Sequence, residues 1–93
     1  MQVVWILEWE GITPEVYAEI CQRTEWEIDP PKGLQHQVTA FSDKGLVLTQ
    51  VWLTPDHVMV FMERRLLPVI RELNIRSMPR VDQYPVHSIL TPQ

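Results

Sequence analysis

A chain of 93 residues with 45% hydrophobic content is sized for a single domain with a limited core, and is not composed like a disordered one. Its formal charge of −4 argues against nucleic acid or any other polyanion as a partner. Cys21 is the only cysteine, so no intrachain disulfide can form and a cytoplasmic setting is expected. Neither a signal peptide nor a membrane span is expected, because the apolar runs are short and interrupted by Glu8, Pro14, Asp43 and Pro55.

Residues 2–9 (QVVWILEW) are rich in Val, Ile and Trp and read as a buried first strand. Gly11 turns the chain, Thr13 is placed to cap a helix, and Pro14 suits the first helical position. Glu15 adds a favourable charge there, and Val16, Tyr17, Ile20 and Cys21 form an apolar stripe to about Thr24. Residues 25–33 are a loop, because Pro30-Pro31 forbids regular continuation.

Residues 34–42 and 46–53 are two strands joined by the hairpin turn Ser42-Asp43-Lys44-Gly45. Alternation sets His36, Val38 and Ala40 against Gln35, Gln37, Thr39 and Phe41, and sets Leu46, Leu48, Gln50 and Trp52 against Val47, Thr49, Val51 and Leu53. Both faces of the second of these strands are largely apolar. A single helix layer covers only one of them, so the other needs a separate partner.

Thr54-Pro55-Asp56 opens a second helix by the logic of Thr13-Pro14-Glu15, with a stripe of Val58, Phe61, Met62, Leu66, Val69, Ile70 and Leu73. Pro68 should kink it, and Asn74 is a natural end. Residues 79–90 read as a last strand, which Pro85 confines to a sheet edge or a bulge. The strand-Trp-Thr-Pro-acid-helix phrase therefore occurs twice, at residues 3–16 and 46–58. Two such units, each followed by a further strand, predict an α+β class and a ferredoxin-like βαββαβ order with an antiparallel four-stranded sheet. Covering the bare sheet face with a second copy gives a homodimeric barrel.

The segments QVWLTPDHVMVFMERRLLPVI and YPVHSIL, read with this architecture, resemble the dimeric α+β barrel superfamily. The likeness is to small bacterial antibiotic-biosynthesis-monooxygenase-like proteins, and it covers most of the chain. It implies a cofactor-independent oxygenase or polyketide cyclase acting on an apolar aromatic or polyketide-like small molecule, in a cavity between sheet and helices. The alternative within the fold is a non-catalytic dimeric ligand-binding or structural module. Relatives with histidine in the second helix are matched here by Phe61 and Arg65. The His-Pro-x-His segment of plant-type cyclases is matched by Leu67-Pro68-Val69-Ile70, which keeps only the proline. Trp52, ending the third strand, sits where relatives often place an aromatic.

The groups that titrate near neutrality are His36, His57 and His87. None is spaced as a metal motif, and there is no GxGxxG, P-loop or GxSxG, so neither a metal nor a cofactor is expected. His36 and His87, on opposite sheet edges within one subunit, can meet only across a dimer, and with Tyr84 they are the candidate catalytic groups. Each also reads plainly as a surface or strand-packing residue. His57 reads as exposed. Trp5, Trp9, Trp52, Phe61 and Met62 are candidate substrate-binding walls, with ordinary core packing as the competing reading.

Charge is unevenly spread. Acids Glu8, Glu10, Glu15, Glu19, Glu25, Glu27 and Asp29 crowd the first third, while Arg64, Arg65, Arg71, Arg76 and Arg80 crowd residues 61–80. These are either solvated faces or complementary patches across a dimer.

Overall fold

The computed structural model describes residues 1–92. The elements run β1 (Val3–Glu10), α1 (Pro14–Thr24), β2 (Leu34–Phe41), β3 (Gly45–Trp52), α2 (Pro55–Phe61), a π-helical turn (Met62–Leu66), α3 (Leu67–Glu72) and β4 (Arg80–Pro85). The sheet is fully antiparallel in the order β2-β3-β1-β4, the ferredoxin-like arrangement expected from the repeated phrase. β2 and β4 are its edges.

Both helix starts form as the sequence dictates. Thr13 Oγ1 accepts the Val16 N–H at 3.2 Å, and Thr54 Oγ1 accepts the His57 N–H at 3.3 Å, each with proline just inside the helix. Gly45 has no alternative at the hairpin. It adopts φ 152°, and a Cβ there would lie 2.3 Å from the Trp9 carbonyl oxygen.

The strand alternation sorts the two faces. Val3, Leu7 and Trp9 of β1 and Leu46, Leu48, Gln50 and Trp52 of β3 are buried beneath the helices. They form one core with Tyr17, Ile20, Trp26, Val58, Phe61 and Leu66. The opposite face presents Val4, Ile6, Val47 and Val51 to the outside, flanked by Val38 of β2, which is 65% exposed, and Tyr84 of β4, 53% exposed.

Two expectations are corrected in detail. The last strand is shorter than residues 79–90 because β1, its only neighbour, begins at Val3, which pairs with Pro85. One more bond follows, Val86 N–H to Gln2 O at 3.0 Å, and the ladder then has no partner left. The disturbance at Pro68 falls on the turn before it. The Leu67 N–H reaches back five residues to the Met62 carbonyl, and the π-turn delivers Pro68 to the start of α3, where a missing donor does no harm. Asn74, just past the helix end, takes φ 55°, a conformation asparagine tolerates better than most residues.

Candidate functional site

Much of the space between sheet and helices is filled by the protein's own side chains, with an open depression of about 230 Å³ left at its β2 edge beside Trp26, Leu34, Gln37 and Thr39. Trp26 and Phe61 pack in a tilted pair at 4.8 Å between centroids, Trp52 lies 5.8 Å from Phe61, and Tyr17 meets both Trp26 and Phe41 edge-on. Trp52 is 0% exposed. A polar chain lies beneath these rings. Trp52 Nε1 donates to Gln50 Oε1 at 3.1 Å, Gln50 Nε2 donates to Gln37 Oε1 at 2.8 Å, and Gln37 Nε2 donates to Tyr17 Oη at 2.9 Å and Thr39 Oγ1 at 3.1 Å. Gln50, 2% exposed, is thereby satisfied at both ends of its amide. Trp26 Nε1, in contrast, is buried with no hydrogen-bond partner among the described residues.

Of the residues singled out in the sequence, Trp9, Trp52 and Phe61 lie in this core, and Trp5 and Met62 pack against it. Trp9 Nε1 donates to the Ser77 carbonyl and hydroxyl, both at 3.0 Å, and Trp5 Nε1 donates to Gln83 Oε1 at 2.9 Å. Their indole groups are committed to structure. His36 pairs with Val51 and Tyr84 with Val4, which places both on the outer sheet face at opposite edges. His87 lies beyond the end of β4, not on the strand face of Val81 and Gln83, and borders a shallow depression of about 260 Å³ with Val4, Val51 and Ile89. Within one chain, these three polar candidates do not share a pocket with the aromatic ones.

A larger cleft, about 570 Å³, lies elsewhere, between α2 and the loop that joins α1 to β2. Its apolar part comes from Pro31, Val60 and Phe61, and its polar part from Lys32, Asp56, His57, Arg64 and Arg65. Phe61 is the link to the interior, lining the cleft while packing against Trp26 and Trp52. The volume lies within the range of small-molecule sites, and an apolar floor with a few polar groups is their usual composition.

The cleft is held by interactions running from helix to loop. Arg65 donates 2.7 Å hydrogen bonds to the Thr24 and Asp29 carbonyls, fixing both ends of the turn that follows α1. That turn begins at Glu25 in the left-handed region, φ 58°, whose N–H bonds the Cys21 carbonyl. On the opposite wall, His57 Nδ1 is 2.7 Å from Thr54 Oγ1, and its ring packs directly on Gly33. Gly33 has φ 90°, and a Cβ there would fall 2.4 Å from His57 Cγ. Only glycine lets the ring and the loop approach this closely.

The sequence carried only a partial signal for this site. His57, Val60, Phe61 and Arg64 recur at helical spacing of three and four, but that spacing runs alongside the buried stripe of Val58, Phe61, Met62 and Leu66. The lower wall, Pro31 and Lys32, is brought there only by the loop.

Cys21, half-buried on α1, is no nucleophile in waiting. Burial pushes its thiol up to about 11, and the nearby Glu27 carboxylate adds to the rise. No group of three or more His, Cys, Asp or Glu side chains among the described residues is gathered to hold a metal ion. No helix of the described residues is long and apolar enough to cross a membrane.

No protein-family model matches the chain, and no curated protein matches it. Solved structures do. SnoaB, a cofactor-independent oxygenase from Streptomyces nogalater, superposes with a TM-score of 0.70 over 98% of both chains at 16% identity. A candidate antibiotic biosynthesis monooxygenase from Deinococcus radiodurans gives 0.59 over 100% of this chain and 99% of its own, at 11% identity. A conserved protein from Methanosarcina mazei Go1 gives 0.58 over 90% and 92%, at 13% identity. With the βαββαβ order and the β2-β3-β1-β4 sheet, these likenesses show that the chain shares the α+β fold of SnoaB and of the Deinococcus protein.

Proposed function

We propose that the protein is a homodimeric small-molecule enzyme of monooxygenase-like type that acts without a cofactor on a polycyclic phenol or related aromatic held against Phe61. The observation that carries this reading is the α2 cleft, which pairs an apolar floor with a histidine and cationic groups. The fold, shared with a cofactor-independent oxygenase, is consistent with it.

In this reading His57 is the base. The Nδ1 contact with Thr54 Oγ1 orients the ring, and the role assigned here requires the tautomer with the proton on Nδ1, which leaves the Nε2 lone pair for the substrate. Removal of a proton from a benzylic CH₂ leaves a carbanion delocalised into the phenolic rings. The carbanion transfers electrons to dioxygen and forms a C–O bond, and protonation gives a hydroperoxide. Loss of the remaining C–H proton with cleavage of the O–O bond releases water and leaves a carbonyl. The substrate supplies all the electrons and dioxygen both oxygen atoms, so no further reductant is needed. The cationic rim lowers the energy of the anion as it forms.

The dimer belongs to the same proposal. Val4, Ile6, Val38, Val47, Val51 and Tyr84 make an apolar outer sheet face of the kind a second copy covers. His36, Tyr84 and His87 then lie at the dimer face rather than in the cleft.

A second reading, a non-catalytic dimeric ligand-binding or structural module, draws support from the aromatic side chains that fill the helix–sheet interior. Oxygen uptake with a panel of polycyclic phenols separates the two. The enzyme reading expects uptake that falls by roughly a hundredfold or more in His57→Ala. Absence of uptake across the panel supports the module, whereas uptake indifferent to that substitution removes His57 as the base.

A further inference from the structure

We propose that the α2 cleft selects aromatic ligands carrying a permanent anionic group, such as a carboxylate, which sits between Arg64 and Lys32. This rests on the assignment of the cleft as the substrate site and adds the charge of what it takes.

The cations of the rim are not equivalent. Arg65 is already engaged, through its two carbonyl acceptors and its position over the Phe61 ring. Arg64 and Lys32 have no ion-pair or hydrogen-bond partner among the described residues. The one carboxylate of the lining, Asp56, pairs with neither. Two unengaged cations therefore face a concave surface whose floor is apolar.

The wider charge distribution sharpens the point. The protein carries a net charge of −4, yet Lys32, Arg64 and Arg65 converge here against a single acid. Such a local reversal draws an anion to this place. The apolar floor of Pro31, Val60 and Phe61 then demands that the anion be attached to a flat hydrophobic body. Neither a free inorganic anion nor a neutral polycycle uses both halves of the cleft.

Isothermal titration calorimetry with 2-naphthoate and its neutral analogue 2-naphthamide tests this directly. The charged ligand should bind roughly tenfold more tightly, as expected for a charge-assisted hydrogen bond over a neutral one. Arg64→Gln and Lys32→Gln should each erode that preference and the double variant should abolish it. Arg71→Gln, a charge change outside the cleft, should leave it intact. Circular dichroism checks that each variant is folded.

Equal affinities for the two ligands, a preference that survives the double variant, or no binding of either would overturn the inference. Because the titration reads no turnover, its failure is distinct from failure of the enzyme reading. Equal binding leaves an enzyme without charge selection, whereas charge selection without oxygen uptake leaves a binding module for anionic aromatics.

Discussion

Arg65 lies across the face of Phe61, its guanidinium carbon 5.6 Å from the ring centroid, while its NH2 group holds the Thr24 and Asp29 carbonyls. One side chain thus couples the floor of the cleft to the loop that forms its wall. Lysine reproduces the charge but not the planar group that spans two carbonyls and a ring. Arg65→Lys should cost about 1–2 kcal/mol in urea denaturation and Arg65→Ala about 2–3 kcal/mol. Hydrogen exchange should quicken selectively over residues 25–33. Unchanged exchange there would mean that the loop holds its shape by itself.

Two tryptophans of one aromatic cluster should respond unequally to the same substitution. Trp52→Phe removes the donor that satisfies Gln50 in the buried polar chain, so it should cost about 1–3 kcal/mol beyond the lost ring area. Trp26→Phe removes an N–H that has no partner and keeps a ring against Phe61, so the net change should stay within about 1 kcal/mol. Thermal or urea denaturation of the pair decides it. Equal losses would show that ring packing alone governs both sites.

Gly33→Ala combines a strained φ of 90° with a clash against His57. We expect a loss of about 1–3 kcal/mol and a displaced imidazole. Its oxygen-uptake defect should approach that of His57→Ala, although residue 33 carries no chemistry. Wild-type activity in Gly33→Ala would remove His57 from the mechanism as assigned.

Burial raises both the Tyr17 phenol and the Cys21 thiol, the latter from 9.0 to about 11. Each group therefore keeps its proton in the folded protein over a pH range where the unfolded chain has released it. For Cys21 this contribution is fully present below pH 9 and is lost as pH rises through about 11. The thermal midpoint should fall more steeply over that window in the wild type than in Cys21→Ala. Parallel curves would show that the thiol is not shielded.

The fold was legible because its signals are local and periodic. Thr13-Pro14 and Thr54-Pro55 mark helix starts by chemistry that works regardless of context. The two-residue alternation of β3 grouped Gln50 and Trp52 with Leu46 and Leu48 on one face, although only the structure shows that this face is the one beneath the helices. What failed was context. The end of β4 depends on where β1 stops, and the π-turn depends on how the helix accommodates Pro68 three-dimensionally.

The cleft was illegible for the same reason. His57, Arg64 and Arg65 stand on a helix face that reads as solvated, and only the loop carrying Pro31 and Lys32 turns that face into a concave surface. His36 and His87 were expected on opposite sheet edges. His36 does lie on edge strand β2, but His87 falls past the end of β4 beside Val4 and Val51, the latter being the cross-strand partner of His36.

The central claim is that small aromatics bind against Phe61 in the α2 cleft, and amide chemical-shift mapping with 2-naphthol tests it most directly. The account predicts shifts concentrated at Lys32, His57, Val60, Phe61 and Arg64. Shifts centred instead on Val4, Val51, Tyr84 and His87, or no saturable shifts at all, would contradict it.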